Sequence, residues 1–136
     1  MQSGSADVSD MRVGRFSNLE LVTTEARDTL FDAAHKMDRK HVGALPVLDD
    51  RLLIGVISEK DIVKAVAEGA DPATIPVTDY MTESAVTVRL QDDVAVAVRR
   101  MVEHRIRHLP VVLGHDVIGM LSVRDLLRAG VLSRTP

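Results

Sequence analysis

Cysteine is absent from the 136 residues, which removes disulfide frameworks, thiolate nucleophiles and Cys-based zinc sites. Tryptophan is absent too, and one Tyr and two Phe are the whole aromatic content. A core must therefore come from Val, Leu, Ile, Ala and Met, and stacking platforms for nucleic-acid bases are lacking. No run approaches the ~18 to 20 consecutive apolar residues of a membrane span. The opening Gln2-Ser3-Gly4-Ser5 has neither the charged nor the apolar region of a signal peptide. An excess of positive charge is missing as well, since a net charge of −3 makes no field that gathers DNA or RNA, although a local basic cluster can still hold one phosphate group. Neither a Gly-x-Ser-x-Gly elbow nor a phosphate-binding Gly-x-x-x-x-Gly-Lys-Ser/Thr loop occurs, so the usual signatures of an enzyme are wanting. A cytoplasmic binding protein without membrane or nucleic-acid partners is the expectation.

What the chain does contain is a repeat. Hydrophobic residues at 46% and charged residues at 27% are ordinary for a globular protein, yet units near 60 residues bury little surface alone. Displacing the chain by 64 positions lays residues 13–65 on residues 77–129 without a gap, and fourteen positions are identical. Val22-Thr23 meets Val86-Thr87, Asp28 meets Asp92, Ala33 meets Ala97 and Met37 meets Met101. Leu45-Pro46-Val47 meets Leu109-Pro110-Val111, Ile54-Gly55 meets Ile118-Gly119, Ser58 meets Ser122 and Asp61 meets Asp125.

Each copy has the same periodicities. Leu30, Ala33, Ala34 and Met37, then Val94, Ala97, Val98 and Met101, recur at helical spacing. Two apolar runs follow, separated by Asp49-Asp50-Arg51 in the first copy and Gly114-His115-Asp116 in the second, as expected of a hairpin. Ser58 and Ser122 then open a last helix, continued by Ile62, Val63 and Val66 or by Leu126 and Leu127. The pattern predicts an α+β protein of two βαββα repeats. Residues 1–12 read as a disordered leader, 13–69 as the first repeat, 70–76, with its Pro residues, as a linker, and 77–136 as the second repeat.

With these features the chain resembles the CBS domain family, which usually occurs as a tandem pair. The matching pieces are Val77-Thr78-Asp79-Tyr80-Met81-Thr82, the two Leu-Pro-Val strands, and the Gly-x-x-Ser-x-x-Asp segments ending in Asp61 and Asp125. The first copy departs from the opening pattern, with Arg15-Phe16-Ser17-Asn18 in place of Asp79-Tyr80-Met81-Thr82. The resemblance implies repeats packed sheet to sheet around a pseudo-twofold axis, with two clefts for an adenine nucleotide. It also implies a homodimer of such pairs and a regulatory role, exerted through the dimer or an effector protein, rather than catalysis. AMP, ADP or ATP is the implied regulatory ligand, with no cofactor required. The alternative is a ligand-free dimerisation and interaction module, or one that binds S-adenosylmethionine or NADH.

Ser58…Asp61 and Ser122…Asp125 have two compatible readings. A capping box uses Ser and Asp to satisfy backbone groups at a helix start. The same helix mouth offers amides and a partial positive charge to a phosphate, while a carboxylate can accept from both ribose hydroxyls. By resemblance, Asp61 and Asp125 hold ribose, and Ser58, Lys60, Arg107, His108, Ser122 and Arg124 face phosphates. Thr23, Thr87 and Ala44 lie near the base. Where the second copy has Arg107 and His108 the first has Gly43 and Ala44, so a cleft pairing Asp61 with Arg107, His108 and Arg124 is expected to bind more tightly than one around Asp125, Lys60 and Thr23. His104 and His108 are four apart, a metal-ligand spacing only on a single helix; the Leu-Pro that follows puts His108 at a strand entrance, so no metal site is expected.

Overall fold

The computed structural model describes residues 10–83 and 85–132. The chain runs α1 (Val13–Phe16), β1 (Thr24–Glu25), α2 (Leu30–Lys40), β2 (Ala44–Asp49), β3 (Leu52–Ser58), α3 (Glu59–Ala67), a 3-10 turn (Val77–Asp79) and β4 (Thr82–Glu83). It continues through β5 (Val88–Arg89), α4 (Val94–His104), β6 (His108–Leu113), β7 (Asp116–Ser122) and α5 (Val123–Arg128). The fold is mixed α+β with two sheets, ordered β1-β2-β3-β4 and β5-β6-β7. Among the described residues no helix is long and apolar enough to cross a membrane.

The two hairpins are built alike. β2 pairs with β3 and β6 with β7, both antiparallel, and each ladder shifts register at the same place, after Val47 and after Val111. That shift sets Ile54 and Ile118 outside the ladder, as a β-bulge does. The first hairpin turns through Asp50 and Arg51, both at positive φ (48° and 74°), whereas the second turns at Gly114 (φ 63°). Leu45, Val47 and Ile57 are fully buried, as are Leu109, Val111 and Leu121.

Capping explains where the helices start. Thr29 Oγ1 accepts from Asp32 N–H (3.2 Å) and Thr29 N–H donates to the Asp32 carboxylate (2.9 Å), closing a capping box at α2. Asp93 accepts from Ala95 N–H (2.8 Å) at α4. Leu30, Ala33 and Met37 of α2, and Val94, Ala97 and Met101 of α4, face the cores. The last helices cover less than the periodicity suggests. Val63 and Val66 of α3 are 67% and 56% exposed, and Ala65 is the buried residue of that helix.

The sequence repeats and the compact units have different borders. One unit takes the chain up to Leu21 together with Val86 onward, the other Val22–Ala85. In the second-repeat unit, Val13 is fully buried in the core around Leu109 and Val111, and Asn18 bridges to Met120. In the first-repeat unit, Val77 fills the matching place, and β4 pairs with β3. Gly55 and Gly119 make both approaches possible. A Cβ on Gly55 would lie 2.5 Å from the Thr82 carbonyl oxygen, and one on Gly119 would collide with that of Asn18.

Residues 1–9 of the expected leader lie outside the described residues. Met11 and Arg12, assigned to that leader by composition, are paired: Val94 N–H donates to Met11 O (2.7 Å) and Arg12 bridges to Asp93. The 70–76 segment is also tied down, because Phe31 N–H donates to Pro72 O and Leu30 N–H to Ile75 O (both 2.9 Å), while Ala70 and Ile75 pack on the core.

Candidate ligand-binding site

At the mouth of α3, Ser58 stands in extended backbone (φ −118°, ψ 166°), so the chain leaves the strand and enters the helix at that residue. Asp61 Oδ2 accepts from Ser58 N–H (2.8 Å) and from the Ser58 hydroxyl (2.9 Å), while Asp61 N–H donates to Ser58 Oγ (3.3 Å). The mouth of α5 repeats this with one bond fewer. Asp125 Oδ2 accepts from Ser122 N–H (2.9 Å) and Asp125 N–H donates to Ser122 Oγ (3.1 Å). Both aspartates are half-buried. Capping therefore occupies one oxygen of each carboxylate, and among the described residues Oδ1 of each accepts no hydrogen bond.

Fewer amides point outward at these mouths than a bare helix start offers. Glu59 N–H donates to Gly43 O (3.0 Å) and Val123 N–H to Arg107 O (2.9 Å), and the Asp61 and Asp125 amides go to the serines. The Ser58 hydroxyl proton is likewise committed to Asp61, whereas the Ser122 hydroxyl makes no such bond among the described residues.

The basic residues gather at one mouth. Arg107 O receives the first amide of α5, His108 pairs across the ladder with Ser122, and Arg124 is the second residue of the helix. Arg107 and Arg124 are exposed, His108 half-buried. All three lie within the second-repeat unit, beside Asp125. At the α3 mouth the corresponding residues are Gly43, Ala44 and Lys60. Ala44 pairs with Ser58 and is 3% exposed, on the strand face opposite the core residues Leu45 and Val47.

An open depression of about 580 Å³ adjoins Asp61 and is lined by Asp61, Lys64, Glu68, Asp79, Tyr80 and Met81. Three carboxylates against one ammonium make it acidic. The Tyr80 hydroxyl donates to Glu68 (2.9 Å), a bond that, with slight burial and the charges of Glu68 and Asp79, raises the phenol pKa above its ordinary value. Reading the chain one repeat at a time misses this set. The helical spacing of Asp61, Lys64 and Glu68 is the available signal, because residues three and four apart share a face.

The base-side candidates sit at the strand entrances. Thr23 and Thr87 are half-buried and precede Thr24 of β1 and Val88 of β5. Thr23 O accepts from Lys36 Nζ (3.0 Å), and Thr87 O from Arg100 Nη1 (2.6 Å). Asp28 stands beside this contact and accepts from Thr24 Oγ1 (2.8 Å), Glu25 N–H (2.8 Å) and Lys36 (3.2 Å). Burial pushes the Asp28 carboxyl up, but these three donors and the lysine charge outweigh it and leave the pKa below the usual value. Among the described residues no three His, Asp or Glu side chains converge as a metal site would require.

Two βαββα repeats, each ending in a Ser-x-x-Asp helix mouth, define a tandem CBS domain pair, and this chain belongs to the CBS domain family, which matches residues 13–68 and 77–132. Among its relatives is the mitochondrial CBS domain-containing protein CBSX3 of Arabidopsis thaliana, 37% identical over 76% of this chain and 53% of that protein. YhcV of Bacillus subtilis is 31% identical over 79% of this chain and 76% of its own length. The chain thus spans about half of CBSX3 and three quarters of YhcV. Among solved structures, the CBS domain protein PAE2072 from Pyrobaculum aerophilum, complexed with AMP, superposes with a TM-score of 0.79 at 30% identity, covering 85% of this chain and 90% of that one.

Proposed function

We propose that the protein is a regulatory module, not an enzyme, which binds an adenine nucleotide (AMP, ADP or ATP) and passes the binding event to a dimer partner or an effector protein. The observation that carries this reading is the unused carboxylate oxygen at each Ser-x-x-Asp mouth. Such an oxygen has two lone pairs for the neighbouring hydroxyls of a ribose, and accepting them leaves the cap intact. The similarity to a protein complexed with AMP supports the ligand class.

In this reading Asp61 and Asp125 hold ribose. Arg107, His108, Ser122 and Arg124 face phosphates at the α5 mouth, and Ser58 and Lys60 do so at α3. Within each unit, charge favours the α5 mouth for phosphates, since the depression beside Asp61 is lined by carboxylates, the reverse of the ranking expected from the sequence. Thr23, Thr87 and the backbone of Ala44 lie on the base side. Ligand acts as a signal only through its different affinity for two states of the protein.

Titration calorimetry with AMP tests the site. Asp61→Asn and Asp125→Asn keep an acceptor for the serine amide but lose the charge. A hydrogen bond to a charged group is worth about 1.5 to 3 kcal/mol, so each variant weakens its own site by roughly ten- to a hundredfold. Unchanged affinity and stoichiometry in both variants rejects the ribose role.

A further inference from the structure

We propose that Lys36 and Arg100 are positioning residues that fix the base-reading end of each site, an inference that rests on the nucleotide reading above. The two cations occupy the same place in the two repeats. Each reaches back thirteen residues from its helix to the strand entrance, Lys36 to Thr23 O at 3.0 Å and Arg100 to Thr87 O at 2.6 Å. Each also stands beside the repeated aspartate, Lys36 at 3.2 Å from Asp28 and Arg100 at 3.8 Å from Asp92. Those aspartates are anchored in turn, accepting the amides of Glu25 (2.8 Å) and Arg89 (2.9 Å).

The peptide bond is planar and trans, so holding the carbonyl oxygen fixes the peptide that follows the threonine and leaves rotation about its Cα–C bond as the remaining freedom on that side, which restricts how far the threonine can reorient. The cations therefore act on Thr23 and Thr87, which the nucleotide reading places on the base side, and not on the aspartates that it assigns to ribose. Stability is not what the ion pairs supply. Both cation side chains are 38% exposed, a setting in which such pairs contribute little. The clamps are unequal, because Lys36 divides its hydrogen bonds between carboxylate and carbonyl while Arg100 leans on the carbonyl.

Two probes separate the base from the ribose phosphate: AMP, and ribose 5-phosphate, which has no base. In the full chain, Lys36→Met/Arg100→Met is expected to lower AMP affinity about five- to tenfold, the worth of roughly one hydrogen bond, with ribose 5-phosphate binding unchanged. Lys36→Arg/Arg100→Lys keeps a cation at each clamp and restores AMP affinity. If the double Met variant does not fold, Arg100→Met alone carries the test at one site, and it should exceed Lys36→Met in effect. Equal losses for AMP and ribose 5-phosphate, or no loss for either, overturns the proposal. Wild-type protein that binds neither probe rejects the nucleotide reading itself, a result distinct from a failure of the clamp.

Discussion

The two caps differ by one hydrogen bond, and that difference has a measurable energy. At α3 the Ser58 hydroxyl donates to Asp61 (2.9 Å) as well as accepting from the Asp61 amide, whereas at α5 each bond between Ser122 and Asp125 joins a backbone amide to a side chain, with no side chain–side chain bond. Losing a Ser or Asp cap costs about 0.5 to 2 kcal/mol. Ser58→Ala and Asp61→Ala each delete the shared hydroxyl–carboxylate bond, so the double variant should cost less than the two single costs together, by about 1 kcal/mol. Ser122→Ala and Asp125→Ala delete no common side-chain bond and should add to within roughly 0.5 kcal/mol. Urea denaturation of the full chain, followed by circular dichroism at constant slope, reads both cycles. Coupling at Ser122–Asp125 equal to that at Ser58–Asp61 refutes the reasoning, because the distinguishing bond would then have no energetic content.

Three further outcomes follow from local structure. The native Asp28 carboxyl holds its charge to lower pH than an ordinary carboxylate, so its contribution is fully present above the unfolded value of about 3.9 and is lost as pH falls through the lowered folded value. Asp28→Asn should therefore be less stable than wild type at neutral pH, with the gap closing in acid; a gap independent of pH contradicts this. Arg51 sits at φ 74° in the first hairpin turn, where a side chain costs about 1 to 2 kcal/mol and glycine loses about 0.5 to 1 in entropy. Arg51→Gly should stabilise the protein by about 0.5 to 1 kcal/mol, and a lower melting temperature refutes the assignment. Gly119→Ala places a methyl group against the Asn18 backbone and should cost about 1 to 3 kcal/mol, with hydrogen exchange at Asn18 and Met120 accelerated; unaltered exchange there means the bridge does not depend on that glycine.

Much of the fold could be read from local pattern. The helices and the Ser-x-x-Asp caps depend on neighbours within about four residues, and the hairpins on strands joined by a two-residue turn, and those appear where periodicity and turn residues place them. The border between the units was not legible, because Val13 and Asn18 join the β5-β6-β7 unit while Val77 and β4 join the β1-β2-β3 unit, and no local signal says that either segment joins the repeat it does not belong to by sequence. Val63 and Val66 mislead for a related reason: apolar spacing shows which residues share a helical face but not whether anything covers it. At the site, the aspartates and serines announce themselves by repetition. The involvement of Gly43 O and Arg107 O with the first helical amides does not, since any residue has a carbonyl. Lys36 and Arg100 escape notice in the same way, their partners being backbone oxygens thirteen residues upstream.

A crystal structure of the full chain grown with AMP bears most directly on the role of the helix mouths. Ribose hydroxyls should lie within about 3 Å of Oδ1 of Asp61 or Asp125, with the serine–aspartate cap unbroken. AMP bound with its ribose away from both carboxylates would mean that these residues serve as caps alone.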